Sequence, residues 1–156
     1  MMLFYLIASI LAASAAFAAR NERQIAAAGA AFYAVQAVFV LCIFAGGLYG
    51  TDSLGVFSFD AAGTLFHILL VVVSAFAFAH SEAYLHGSDL RQTRTYSALL
   101  MLLTTAISGA YFASNLAVTW IFLEATTLCS AGIIYHRRTA QTLEATWKYI
   151  FVCSVG

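Results

Sequence analysis

Long uncharged runs alternate with short polar connections along this chain, and the pattern predicts a series of membrane-crossing helices. Residues 2–19 carry no charge, enough for one pass of a ~30 Å hydrocarbon core. Residues 25–50 form a second such run, in which Gly46 and Gly50 make a small-xxx-small pair suited to close helix approach. Residues 61–79 form a third, with His67 inside it. The apolar run over residues 95–135 is about twice the ~20 residues one crossing needs, so it folds back on itself. Ser114-Asn115 is its tight turn. Helix 4 then carries Thr104, Thr105, Ser108 and Gly109 on one face, a small, weakly polar stripe suited to packing. Helix 5 spans residues 116–135 with Glu124 near its middle, Thr127 and Ala131 on the same face and Trp120 one turn before. A sixth helix starts near Thr142. The residues after Lys148 give it only about 12 Å of length against a ~30 Å core. The expected architecture is therefore all-α: a polytopic transmembrane bundle of five full helices and a truncated sixth, one membrane domain over residues 1–156. It reads as the N-terminal part of a longer protein.

Composition places the chain firmly in the membrane class. It is 63% hydrophobic and 9% charged, where soluble domains carry about 25% charged residues. Its formal net charge is zero, so the placement of charge is what informs. All seven basic residues lie in alternate connections: Arg20 and Arg23, then Arg91 and Arg94, then Arg137, Arg138 and Lys148. The connection TDSLGVFSFD and the Ser-Asn turn carry none. The positive-inside rule then puts the N-terminus outside a plasma (inner) membrane. The small residues near Ala16–Ala18 resemble a cleavage site, but the arginines follow the first apolar run instead of preceding it, the reverse of a signal peptide. Prolines are absent, which argues against broken helices here.

Few residues carry chemistry. Cys42, Cys129 and Cys153 show no CxxC or Cys/His spacing and read as small apolar residues facing neighbouring helices. His80 and His86, with Glu82 and Asp89, fall in the polar stretch HSEAYLHGSDLRQTRT at spacings that suit no metal site and read as solvated loop. No P-loop, HExxH or nucleophile elbow occurs, so no catalytic, cofactor-binding or metal-binding residue is expected. Nor is there a basic-aromatic pattern for nucleic acid. Glu124 stands apart as the formally charged residue deep inside an apolar segment. A charge there costs about 2.5–3.5 kcal/mol on insertion scales and marks a functional position. His67 has two readings: a neutral ring hydrogen-bonded to a neighbouring helix, or a member of a proton relay. Lys148 reads as an interfacial anchor paired with Glu144 at i, i+4.

The segment LEATTLCSAGIIYHRRTAQTLEATWKYIFVCSVG, together with FSFDAAGTLFHILLVVVSAFAFAHSEAYL and TYSALLMLLTTAISGAYFASNLAVTWIFLE upstream, resembles the antiporter-like membrane subunits. These belong to respiratory complex I, to Mrp-type cation/proton antiporters and to membrane-bound nickel–iron hydrogenases. LEATTL and LEATWKYIFVCSVG most resemble the F component of the hydrogenase-4 (formate hydrogenlyase-type) branch. The resemblance covers residues 55–156. It implies a non-catalytic subunit, binding no cofactor itself, that moves protons while partner membrane and peripheral redox subunits transfer electrons. It implies that Glu124 pairs with a lysine on a seventh helix, that Lys148 matches a basic residue early in helix 6, and that the transport path includes helices beyond residue 156. The same resemblance leaves a Mrp-type Na⁺/H⁺ antiporter subunit as an alternative. A non-transporting scaffold or assembly protein, with Glu124 only fixing packing, is the reading from another class.

The topology is directly testable. Residues 51–59 are expected to face the outside, so with Cys42, Cys129 and Cys153 replaced by alanine, a sole cysteine at position 55 is expected to react with an impermeant maleimide only from outside. Sole cysteines within residues 80–94 and 136–147 are expected to react only from the cytoplasm. Labelling of position 55 from the cytoplasmic face alone reverses the orientation.

Overall fold

The computed structural model describes residues 1–47, 50–51, 55–85 and 89–155. Among them are six α-helices: α1 (Met2–Ala18), α2 (Glu22–Gly46), α3 (Ala61–Tyr84), α4 (Leu90–Phe112), α5 (Leu116–Ile134) and α6 (Ala140–Val155). A two-residue antiparallel ladder joins β1 (Gly50–Thr51) to β2 (Ser58–Phe59) between α2 and α3. Helices α2, α3, α4 and α5 are each long and apolar enough to cross a membrane, and α1 is a shorter apolar helix. This is an all-α membrane bundle.

The helix ends follow local chemistry. Asp60 caps α3, its carboxylate accepting from the Gly63 amide at 3.0 Å, and Asn115 caps α5, accepting from the Val118 amide at 2.9 Å. Each satisfies one of the orphan amides of a helix start. Thr139 and Thr142 bond reciprocally at the start of α6. At the other end of α1, Arg94 donates from Nη1 to the Ala19 carbonyl at 3.2 Å, so a side chain of α4 closes an unpaired helix terminus.

Three expectations need correcting. Helix 2 ends at Gly46 because Gly47 takes the left-handed conformation (φ 56°), the usual role of glycine past a helix end. Gly50 lies in β1, so Gly46 and Gly50 do not form a helical packing pair. His80 is not in a loop, since α3 continues to Tyr84. A helix that leaves hydrocarbon keeps its own backbone bonds, so polar residues prolong it. Finally, the connection before α3 is more than a polar loop: Phe57 and Phe59 are buried in it, Phe57 bridges Ala113, and Ser114 bonds to the Val56 and Gly55 carbonyls. Asp52 and His86 lie outside the described residues.

The interior is built around α4, which lies against α1, α2, α3 and α5. Toward the Arg20/Arg94 end the core is small and smooth, with Ala13, Ala16, Ala98, Phe32 and Met101 packed together. Toward the hairpin it is aromatic, with Tyr5, Phe39, Phe57, Phe59 and Phe112. The stripe expected to pack does so: Thr104, Thr105 and Ser108 are buried, and each hydroxyl donates to the carbonyl four residues back at 2.8–2.9 Å. Of the cysteines, Cys129 is half-buried, whereas Cys42 and Cys153 face outward, not toward neighbouring helices. Helix α5 buries only Ala131, and α6 buries nothing.

At Gly109, α4 lies close against α5, because a Cβ there would fall within the ring of Phe122. Gly109→Val is expected to force the two helices apart and lower stability by about 1–3 kcal/mol, read as a drop in the unfolding midpoint in detergent. An unchanged midpoint shows that α5 is free to adjust.

Candidate functional site

Glu124 sits midway along α5 and is half-buried. The Thr127 hydroxyl, one turn on, donates to the Glu124 backbone carbonyl at 2.8 Å and lies 3.4 Å from its carboxylate Oε2. Ala131 on the same face is buried against the bundle, while Trp120 is 63% exposed. Glu124 therefore lies on the flank of the α1–α4 core, not at its centre. No ion pair reaches it among the described residues. Lys148 does not serve it. Its Nζ donates to Glu144 Oε1 at 2.6 Å on the outer face of α6, where both side chains are largely exposed. In this arrangement Lys148 is an i, i+4 surface partner, of the kind worth a few tenths of a kcal/mol.

His67 is fully buried, as expected of an interior histidine. Its ring is enclosed by Tyr5, Phe39 and Phe112, with centroid separations of 5.9, 5.4 and 5.5 Å. The expected hydrogen bond to a neighbouring helix is missing: neither ring nitrogen has a partner among the described residues. The physical reason is the lining, since all three enclosing side chains present aromatic rings to it. No hydrogen-bonded chain links His67 to Glu124 among the described residues, so the residues singled out in the sequence stand in three separate places.

Around His67 lies a polar group that the sequence did not disclose. The Tyr5 hydroxyl donates to Gln36 Oε1 at 2.9 Å, tying α1 to α2, and the Ser9 and Ser108 hydroxyls approach the same phenol. Ser9 Oγ and Gln36 Nε2 have no hydrogen-bond partner among the described residues. Gln36 is a polar amide in an otherwise largely apolar run, and that was its one visible signal. Tyr5 had none, because the amphipathic character of tyrosine lets it sit equally well in an apolar helix. A second unforeseen cluster lies at the opposite end. His136 Nδ1 is 2.7 Å from the Ile133 carbonyl, its ring meets Tyr96 edge-on, and the Arg137 guanidinium lies 5.1 Å over Tyr84. Among the described residues no group of histidine, cysteine and acidic side chains could hold a metal ion.

Over 63 residues the chain is 30% identical to a hydrogenase-4 component F homolog of Methylacidiphilum infernorum (isolate V4), a stretch covering 40% of this chain and 13% of the relative. The chain thus corresponds to a small share of that protein's length. No family model matches the chain, and no solved structure matches it.

The Tyr5–Gln36 bond generates a prediction. Tyr5→Phe leaves Gln36 Oε1 buried without its donor and is expected to cost about 1–3 kcal/mol, whereas adding Gln36→Leu removes the orphan and recovers part of that loss. Unfolding free energies of the two single variants and the double variant check it. Purely additive losses show that the pair does not hold the two helices together.

Proposed function

We propose that this chain forms part of a proton-translocating membrane subunit in a hydrogenase-type complex, with Glu124 as a protonatable position. Similarity to a hydrogenase-4 component F homolog is the observation that carries the reading. The placement of Glu124 is consistent with it. In hydrocarbon, the ionised form of a carboxylate is penalised, and an ammonium brought within about 4–6 Å favours it again. A carboxylate on the flank of a bundle, without a cationic neighbour among the described residues, is open to such a partner from another helix. If that partner approaches and withdraws, proton occupancy follows conformation, which a pump element requires. The Thr127 hydroxyl adds a local contact that is available in either state. Lys148 would act in this scheme at the membrane surface through Glu144, and His67 would act as a packed interior ring, with no proton path assigned to it. The redox chemistry belongs to partner subunits.

Glu124→Gln keeps the shape and hydrogen-bonding capacity of the side chain but cannot ionise. In the complete complex it is expected to preserve assembly and to reduce proton translocation per electron on the order of 10²-fold, the scale of a lost proton-transfer group. Proton uptake in sealed vesicles, measured against electron flux, provides the readout. Translocation at the wild-type ratio would overturn the role of Glu124.

A further inference from the structure

At the arginine-bearing end of the bundle, α2, α3 and α4 leave a cavity of about 310 Å³ between them. Phe78 lies in its apolar floor, and Glu22, Arg23, Ser81, Thr93 and Ser97 supply its polar lining. It opens where the apolar runs begin and end: α2 starts at Glu22, and α4 starts at Leu90 just before Thr93. That is the depth at which lipid headgroups meet a membrane protein.

Ser97 singles this cavity out. It is 2% exposed, it lines the space, and its hydroxyl makes no hydrogen bond among the described residues. The buried hydroxyls deeper in α4 behave differently, since Thr104, Thr105 and Ser108 all return to the carbonyl four residues back. Ser97 lies on the same helix with the same option and leaves its hydroxyl to the cavity. Two further hydroxyls there keep acceptor capacity: Ser81 donates to the Phe78 carbonyl at 2.6 Å and Thr93 to the Asp89 carbonyl. Glu22 and Arg23 are adjacent in sequence, yet neither side chain forms an ion pair or hydrogen bond among the described residues. The lining therefore offers an unpaired cation, an unpaired anion and an unsatisfied hydroxyl above an apolar floor.

We propose that this cavity binds the headgroup of an aminophospholipid, with Arg23 and Ser97 holding the phosphate and Glu22 the primary ammonium. A guanidinium suits phosphate through charge-assisted, paired hydrogen bonds. Glu22 decides between headgroups. It repels a purely anionic one, and a quaternary choline ammonium has no N–H to donate to it. The acyl chains follow the apolar floor into the bilayer, which commits the site to a lipid and not to a soluble phosphoamine.

The full chain is reconstituted in phosphatidylcholine nanodiscs doped with phosphatidylethanolamine or with phosphatidylglycerol, and retained lipid is identified by native mass spectrometry. Phosphatidylethanolamine is expected to be retained roughly tenfold over either other lipid, the scale of one charge-assisted contact. Glu22→Gln and Arg23→Gln should each abolish that preference, and Ser97→Ala should weaken it. Both charged positions are exposed at the start of α2, and an unchanged unfolding midpoint confirms that the variants keep the fold. Equal retention of phosphatidylglycerol, rising further with Glu22→Gln, would make the site a plain anion site and overturn the proposal. Retention unaffected by any variant would reduce it to annular lipid, and tight binding of water-soluble glycerophosphoethanolamine would remove the lipid from it.

Discussion

In hydrocarbon, a polar side chain has only the protein to bond with, and α4 shows how this bundle meets that constraint. Its hydroxyls at Thr104, Thr105 and Ser108 return to the helix's own carbonyls. The stripe is thereby made apolar enough to lie in the centre of the bundle while remaining small enough for neighbours to approach. Earlier on α4, Ala13 and Ala16 of α1 pack in one cluster with Ala98 and Met101, whereas α5 approaches at Gly109. Close backbone approach replaces the hydrophobic drive that a soluble core would have, because lipid tails are as apolar as the helices themselves. The rest of the fold depends on α4 being packable on most of its circumference.

The two ends of the bundle solve different problems. At the hairpin end, Phe57 and Phe59 fold over the helix tips, and Ser114 pins the α4–α5 turn to the same strand region. Aromatic area supplies the cohesion there. At the arginine-bearing end discrete polar contacts are added to a packed apolar core. Arg94 closes the α1 terminus and Arg137 lies over Tyr84. Space remains between helices at both ends: a cavity with polar lining beside Arg23, and an apolar one beside Tyr5 and Phe39.

Much of this architecture was legible in the sequence. Uncharged runs marked the helices, and Ser114-Asn115 marked the turn, where Asn115 indeed caps the next helix. What stayed hidden depended on contacts distant in sequence. The strands at Gly50–Thr51 and Ser58–Phe59 are too short for any alternation to show. The end of helix 2 turned on the conformation of one glycine in a pair, and Gly46 and Gly47 look alike in a sequence. Among the candidate site residues, the burial of His67 followed from its apolar neighbours. Its enclosure by rings did not, because Tyr5, Phe39 and Phe112 come from three other helices. The local pairing of Lys148 with Glu144 was readable from i, i+4 spacing alone.

Glu124 and the Glu144–Lys148 pair are the instructive contrast. Both carboxylates lie on the outer helices α5 and α6, which contribute almost nothing to the buried core. Glu144 has its cation on the same helix and sits in the open, where pairing and water share the task of stabilising charge. Among the described residues Glu124 has only the Thr127 hydroxyl beside its carboxylate, and it lies midway along an apolar helix. A position like that is costly to an isolated helix, and substituting leucine would serve packing better. The core gains nothing from a carboxylate there, since α5 contributes only Ala131 to the buried residues. What sets Glu124 apart from Glu144 is that no cation is fixed beside it among the described residues, so its place on a flank leaves it open to a group brought in by another helix, as the proposed role requires.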